Sequence, residues 1–202
     1  MNTKYGSLAL TMKTLNSKFF GKTNLNRWQH LQNYDPTWDE RTKLIVSLIP
    51  KDTRIIEFGA GRRQLELYLD KSCVYFPSDL VSRGSETIVC DLNVRPLPSL
   101  TNLQLDIAVF GGVLEYIRDP YTLCTWLSQQ VSICIVSYIC AKSQPGTLGR
   151  LQETISRIRV GWVNTYSKKE LESLFKTGGF PHLEKVTGET SYGKEEIFIF
   201  KK

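Results

Sequence analysis

Two histidines, His30 and His182, are all that this chain of 202 residues carries, and they stand far apart. A zinc cage or a histidine-dependent hydrolytic triad therefore has almost no material to work with, and no metal is expected. Cysteine is scarce and odd in number: Cys73, Cys90, Cys124, Cys134 and Cys140 include no C-x-x-C pair. That pattern excludes a disulfide framework and reads as reduced core residues. The longest apolar runs, near Ile107 to Val113 and Ile133 to Cys140, fall short of the roughly 18 residues that span a bilayer. The start shows no signal-peptide pattern, so a cytoplasmic location without a membrane span is expected. Acid is missing altogether from Met1 to Tyr34, where Lys4, Lys13, Lys18, Lys22 and Arg27 stand unopposed.

What is present fits one globular domain large enough to bury a core without staples, with 41% hydrophobic and 23% charged residues. The net charge of +6 gathers in two places. One is the N-terminal segment, read as a basic arm over residues 1–36. The other holds Lys142, Arg150, Arg157, Arg159, Lys168 and Lys169, with only Glu153 among them before Glu170. Either these are solvated surface or they favour an anionic partner, such as a phosphate, a nucleotide sugar or RNA.

The stretch Thr53 to Asp79 organises the remainder, residues 37–202, read as a single domain. Thr53 to Phe58 reads as an apolar strand, Gly59 and Gly61 break it into a turn, and Gln64 to Leu69 resumes as a helix. A second strand from Cys73 then delivers Asp79, eighteen positions after Gly61. A glycine turn between strand and helix lets backbone approach a ligand, and the helix start offers unpaired N–H groups. An acid at the neighbouring strand tip accepts the hydroxyls of a ribose while contributing little packing of its own. Together these features predict a bound nucleoside.

The stretch Glu57-Phe58-Gly59-Ala60-Gly61 resembles the E/D-x-G-x-G signature of the Rossmann-like methyltransferases that use S-adenosylmethionine. A nicotinamide fingerprint would want a small residue at Gln64, which leaves an oxidoreductase as a distant alternative. The resemblance extends from Thr37 to Phe200. Asp91-Leu92-Asn93 looks like the segment that receives the adenine amino group. Asp106 to Tyr116, with Ile117-Arg118-Asp119-Pro120 after it, looks like the fourth strand and a loop that in relatives reads close to V-L-E-H-I-x-D-P. Gly178-Gly179-Phe180 is another landmark of the family.

This resemblance implies a three-layer α/β sandwich around a seven-stranded, mostly parallel sheet whose last strand is antiparallel. It implies S-adenosylmethionine as cofactor, S-adenosylhomocysteine as product, and Glu57, Gly59, Ala60, Gly61, Asp79, Leu80, Asp91, Leu92, Gly111 and Gly112 as the cofactor site. Glu57 would orient the cofactor's amino-acid end. The family's usual third glycine falls on Arg63, which would narrow the pocket or reach over it. The implied reaction is methylation of oxygen or nitrogen in a small molecule such as a secondary metabolite, lipid precursor or glycan. The alternatives are an RNA methyltransferase using the basic arm, and a non-catalytic cofactor-binding or partner protein.

Catalytic candidates are Tyr116, where relatives often carry histidine, and its neighbour Glu115. A tyrosine with a pKa near 10 is a poor base at neutral pH, so Tyr116 reads better as a positioning or stacking residue. Residues 141–166 read as a substrate lid, with Leu148, Leu151, Ile155 and Ile158 at amphipathic-helix spacing and Arg150, Trp162 and Tyr166 as substrate contacts. Before the first strand, Thr37 caps a helix from which Trp38 or Arg41, with Tyr34, would cover the cofactor's methionine end, unless Trp38 is core and Arg41 surface. Near the other end, Ser167-Lys168-Lys169-Glu170 is a capping box. The short turn Ser191 to Lys194 predicts an antiparallel hairpin, and the unbroken run Ile197 to Phe200 predicts an interior strand.

Overall fold

Apolar runs bounded by glycine and proline become the strands of one seven-stranded sheet in the computed structural model, which describes residues 8–20, 23, 25–30, 38–187 and 195–202. In chain order the strands are β1 Arg54–Phe58, β2 Val74–Asp79, β3 Ile88–Val89, β4 Ile107–Gly111, β5 Ile133–Ile139, β6 His182–Thr187 and β7 Glu195–Lys201. Across the sheet they run β3-β2-β1-β4-β5-β7-β6. β1 pairs in parallel with β2 and β4, as do β2 with β3 and β4 with β5. β7 runs antiparallel to both β5 and β6. It is an interior strand, as its unbroken apolar run demands.

Alternate residues of each strand feed opposite faces, so a strand buried on both sides needs apolar residues throughout. Phe58, Phe110, Phe198 and Phe200 join α5 (Pro120–Leu127) and α7 (Lys168–Thr177) on one face. Ile55, Ile107, Ile197 and Ile199 join α3 (Trp38–Val46) and α4 (Gln64–Tyr68) on the other. The connection after β3 forms a single 3-10 turn, Thr101–Leu103, in place of a helix. Its buried leucines Leu92, Leu100 and Leu105 cover the sheet there.

Three further helices remain. α1 (Leu8–Phe20) packs against α6 (Leu148–Arg159), and the short α2 (Leu25–Trp28) follows it. The amphipathic spacing on α6 does not turn its apolar side inward: Leu148 is 71% and Leu151 55% exposed, while Arg150 and Arg157 are buried. The reason is polar pairing. Arg157 donates to the Ile139 carbonyl at 2.7 Å and to the Tyr138 hydroxyl, and Arg150 pairs with Glu170. Their aliphatic stems cover apolar surface that a leucine would otherwise have covered. No described helix is long and apolar enough to cross a membrane. The Thr37 cap, Tyr34 and the turn Ser191 to Lys194 lie outside the described residues.

The capping box is formed as read. The Ser167 hydroxyl accepts from the Glu170 amide at 3.4 Å, while the Glu170 carboxylate accepts from the Ser167 amide at 2.8 Å. Ser167→Ala is expected to cost about 1 kcal/mol. The matching drop in melting temperature, roughly 2–4 °C for a domain of this size, is checked by thermal denaturation followed by circular dichroism.

Candidate functional site

The turn after β1 is built by three consecutive excursions to positive φ, at Gly59 (72°), Gly61 (53°) and Arg63 (58°). Glycine takes this conformation freely, whereas a residue with a Cβ is strained by roughly 1–2 kcal/mol. Arg63 bears that strain where the family resemblance would place glycine. It neither narrows the cavity nor reaches over it. Its guanidinium turns outward to Glu66 and Glu86, both at 2.7 Å.

Glycine at position 59 answers to protein packing as much as to ligand approach. A Cβ there would lie 2.5 Å from the Val113 Cγ2. At Gly112, also at positive φ, a Cβ would lie 2.7 Å from a guanidinium nitrogen of Arg41. The bare backbone of both turns is thus partly covered by side chains of this chain.

Asp79 is 4% exposed at the tip of β2. Its carboxylate accepts from the Gly61 amide (2.9 Å), the Leu80 amide (2.6 Å) and the Arg83 Nε (3.3 Å). It is therefore a structural hub as well as a candidate ribose acceptor, contrary to the expectation that it contributes little beyond ligand contact. The same Arg83 donates to the backbone carbonyls of Trp28 and Gln29, tying α2 to this carboxylate. A second tie runs from the Thr23 hydroxyl to Asp91 Oδ1 at 2.9 Å. Neither Arg83 nor Thr23 carries a sequence signal: their ties to α2 and to Asp91 reach across more than fifty positions, although Arg83 stands close in sequence to Asp79.

Between these elements lies a cavity of about 610 Å³, within the roughly 300–1,000 Å³ usual for small-molecule sites. Of the residues expected to hold cofactor, Glu57, Gly59, Ala60, Asp79, Leu80, Asp91, Leu92, Gly111 and Gly112 line it. Gly61 contributes through its amide to Asp79. Glu115, Tyr116, Trp162, Trp38 and Arg41 also line it, and Arg41 is buried, not surface. Arg150 and Tyr166 do not. Arg150 is paired with Glu170, and Tyr166 packs beside Tyr138, with its amide donating to the Tyr138 hydroxyl. Trp28, Thr23 and Glu195 also line it and were not legible beforehand.

Buried charge distinguishes this cavity. Burial pushes the Glu57 carboxyl up to about 7, against the pull of the Tyr75 hydroxyl that donates to it and of Arg41. Burial also pushes Glu115 up to about 7, with Glu195 adding to it and Arg41 and Arg157 opposing. Arg41 and Glu195 form an ion pair at 3.0 Å, both nearly excluded from solvent. The Tyr116 phenol is held above its ordinary value by burial, and its oxygen accepts from the Trp162 indole at 3.1 Å. That makes Tyr116 a wall and no base. Among the described residues, no cluster of acids, histidines and cysteines has the makings of a metal site.

The residues present suit an adenosyl ligand. Asp91 Oδ1 accepts from Thr23 and from the Asn93 amide, while Oδ2 takes no hydrogen bond from a described residue. Solved structures give the architecture its place. A Nostoc punctiforme protein described as an O-methyltransferase superposes with a TM-score of 0.70 at 13% identity, over 96% of this chain and 69% of that one. The fold is that of the Rossmann-like methyltransferases. The 1,6-didemethyltoxoflavin-N1-methyltransferase of Burkholderia thailandensis, solved with its substrate and S-adenosylhomocysteine, shares this methyltransferase fold at a TM-score of 0.63 and 13% identity, covering 100% of this chain and 93% of that one. Human N-acetylserotonin methyltransferase with S-adenosylmethionine does so at 0.62 and 13%, covering 100% and 68%. No protein-family model and no curated protein matches the chain in sequence.

Gly59→Ala is expected to destabilise the protein by about 1–3 kcal/mol, since it adds positive-φ strain to the collision with Val113. Pairing it with Val113→Ala relieves the collision and leaves the strain. Chemical denaturation of the single and double variants separates the two contributions.

Proposed function

We propose that this chain is an S-adenosylmethionine-dependent methyltransferase acting on oxygen or nitrogen of a small-molecule acceptor. The observation that carries the reading is the succession of acids along one rim of the sheet, at the tip of β2 and after β3, opening with the glycine turn onto a single cavity. In this reading Asp91 receives the adenine amino group, Asp79 the ribose, and Glu57 the ammonium of the cofactor's amino-acid end. Solved neighbours of the same fold hold S-adenosylhomocysteine or S-adenosylmethionine, and others hold 1,6-didemethyltoxoflavin or apigenin.

Held by Glu57, Asp79 and Asp91, the cofactor would supply a methyl group from its sulfonium to an acceptor lone pair and would leave as the neutral thioether. The chain's own contribution is alignment and exclusion of water, worth up to roughly 7–11 kcal/mol when geometry is close. The end of α2, tied down through Arg83, and Thr23 just before that helix border the cleft in the way such exclusion requires.

Charge supports a small neutral or cationic acceptor over an anionic one. Asp39, Glu57, Asp79, Asp91, Glu115 and Glu195 line the cavity against Arg41 and Arg62. Several cations that favour RNA on paper are engaged internally: Arg27 donates to the Val160 carbonyl and lies over Trp28, and Arg150 and Arg157 are buried. An RNA substrate would show binding that weakens steeply with salt.

Calorimetric titration with S-adenosylmethionine, S-adenosylhomocysteine and NADH tests the assignment. Binding of the first two and not the third is expected, and a protein that binds neither sulfur nucleoside removes the enzyme reading. Asp79→Asn, confirmed folded by circular dichroism, is expected to lose roughly 1.5–3 kcal/mol of cofactor affinity, the worth of hydrogen bonds to a charged group. Unchanged affinity would place the ribose elsewhere.

A further inference from the structure

At the end of the cavity away from Asp79 and Asp91, the first turn after β4 holds a carboxylate that the cofactor does not need. Glu115 is 2% exposed, lines the cavity, and its Oε2 has no hydrogen-bond partner. An orphaned buried carboxylate oxygen is costly, so a ligand donor is the natural partner to complete it. Its backbone is fixed in advance. The Glu115 carbonyl accepts from the Val163 amide at 2.8 Å, and the Asn164 side chain donates to the carbonyls of Leu114 and Ile117 on either side.

Position along the sheet gives this carboxylate its role. Asp79 ends β2 and Asp91 follows β3, on one side of β1, whereas Glu115 follows β4 on the other side. With strands about 4.8 Å apart, a nucleoside held at β2 and β3 leaves the β4 side for what the methyl group must reach. The walls there are aromatic. Three of the chain's four tryptophans, Trp28, Trp38 and Trp162, line the cavity together with Tyr116. Trp28 stands edge-on to Tyr116 with centroids 5.0 Å apart, and the Trp162 indole fixes the Tyr116 hydroxyl.

We infer that Glu115 is the general base of the reaction, and that the acceptor is a flat, uncharged aromatic molecule whose phenolic O–H or aromatic N–H donates to Glu115 Oε2. This rests on the methyltransferase reading and adds to it the acceptor class and the destination of the proton. The acceptor's heteroatom gains the methyl group and loses its proton, which passes to the Glu115 carboxylate and from there to solvent after product leaves. Arg41 and Glu195 are positioning residues. Their ion pair lies beside Glu115 and keeps the carboxylates from sharing the space unopposed.

The groups that set the Glu115 titration are Glu195 from β7, Arg41 from α3, Arg157 from α6, and the phenols Tyr116 and Tyr138. Burial outweighs the rest and brings the carboxyl to about 7. A base must be deprotonated to act, so its activity rises with pH through that value.

The test uses Glu115→Gln, with Glu115→Asp as the conservative variant, and compares each with the wild type. Titration of S-adenosylmethionine and of S-adenosylhomocysteine at pH 7, in two buffers of different ionisation heat, counts the protons released on binding. The wild type is expected to release more with the sulfonium than with the neutral thioether, because a cation near Glu115 favours its charged form; Glu115→Gln abolishes that difference. Glu57, facing an ammonium common to both ligands, contributes equally to each. With a panel of simple phenols and anilines, Glu115→Gln is expected to lose at least 100-fold in kcat/KM and its rise with pH near 7, and Glu115→Asp to recover part of both. A Glu115→Gln rate within threefold of wild type, or an unchanged proton difference, overturns the base assignment. Turnover confined to aryl phosphates or carboxylates, or cofactor binding without turnover of any phenol or aniline, overturns the acceptor class. Wild type that binds neither sulfur nucleoside sinks the underlying reading instead.

Discussion

One carboxylate holds three parts of this molecule in register. Asp79 accepts from the glycine turn after β1, from the Leu80 amide just beyond β2, and from Arg83, whose remaining nitrogens grip the end of α2. A buried charge requires such donors, since an unpaired one is expensive in a low-dielectric interior. The ligand-facing geometry of the turn and the position of the segment that covers the cleft are therefore set by a single group. A nucleoside bound at Asp79 would act on that group directly, which couples occupancy of the cleft to its cover.

The opposite end of the cavity obeys a different economy of charge. Arg41 fills the space beside Gly112, pairs with Glu195 and lies near Glu115, so three ionised or ionisable groups share one wall with little solvent. The pairing leaves Arg41 Nε and Glu115 Oε2 without partners. Polar atoms left unsatisfied in a buried wall are exceptions that call for a physical reason. Here they belong to residues that line a cavity framed by aromatic rings.

Much of this was legible in the residues. Apolar runs bounded by turn residues gave the strands, Ser167 and Glu170 the capped helix, and the spacing of Gly61 and Asp79 the strand–turn–helix–strand unit, realised as a direct hydrogen bond between the two. Local pattern failed on α6, where Leu148 and Leu151 face outward because two arginines found buried partners on β5 and α7. It failed on Arg63, whose partners are set by a strained backbone rather than by proximity to the pocket in sequence. Glu195 and Trp28 carried no signal, because each acquires its role from elements distant along the chain, and the short-range pair of Arg83 with Asp79 gave no hint of its reach to α2.

The sequence by itself determined the strands and their sheet, its antiparallel last strand by resemblance, and the glycines and acids that meet at one cavity. Those follow from short-range rules of backbone conformation and from periodicity, which act over a few residues. Only the tertiary structure decided which charges were paired, which side of α6 was covered, and that one oxygen of Glu115 was left without a partner in the wall of an aromatic chamber. Those outcomes depend on long-range packing, where desolvation and the choice of partner outweigh local preference.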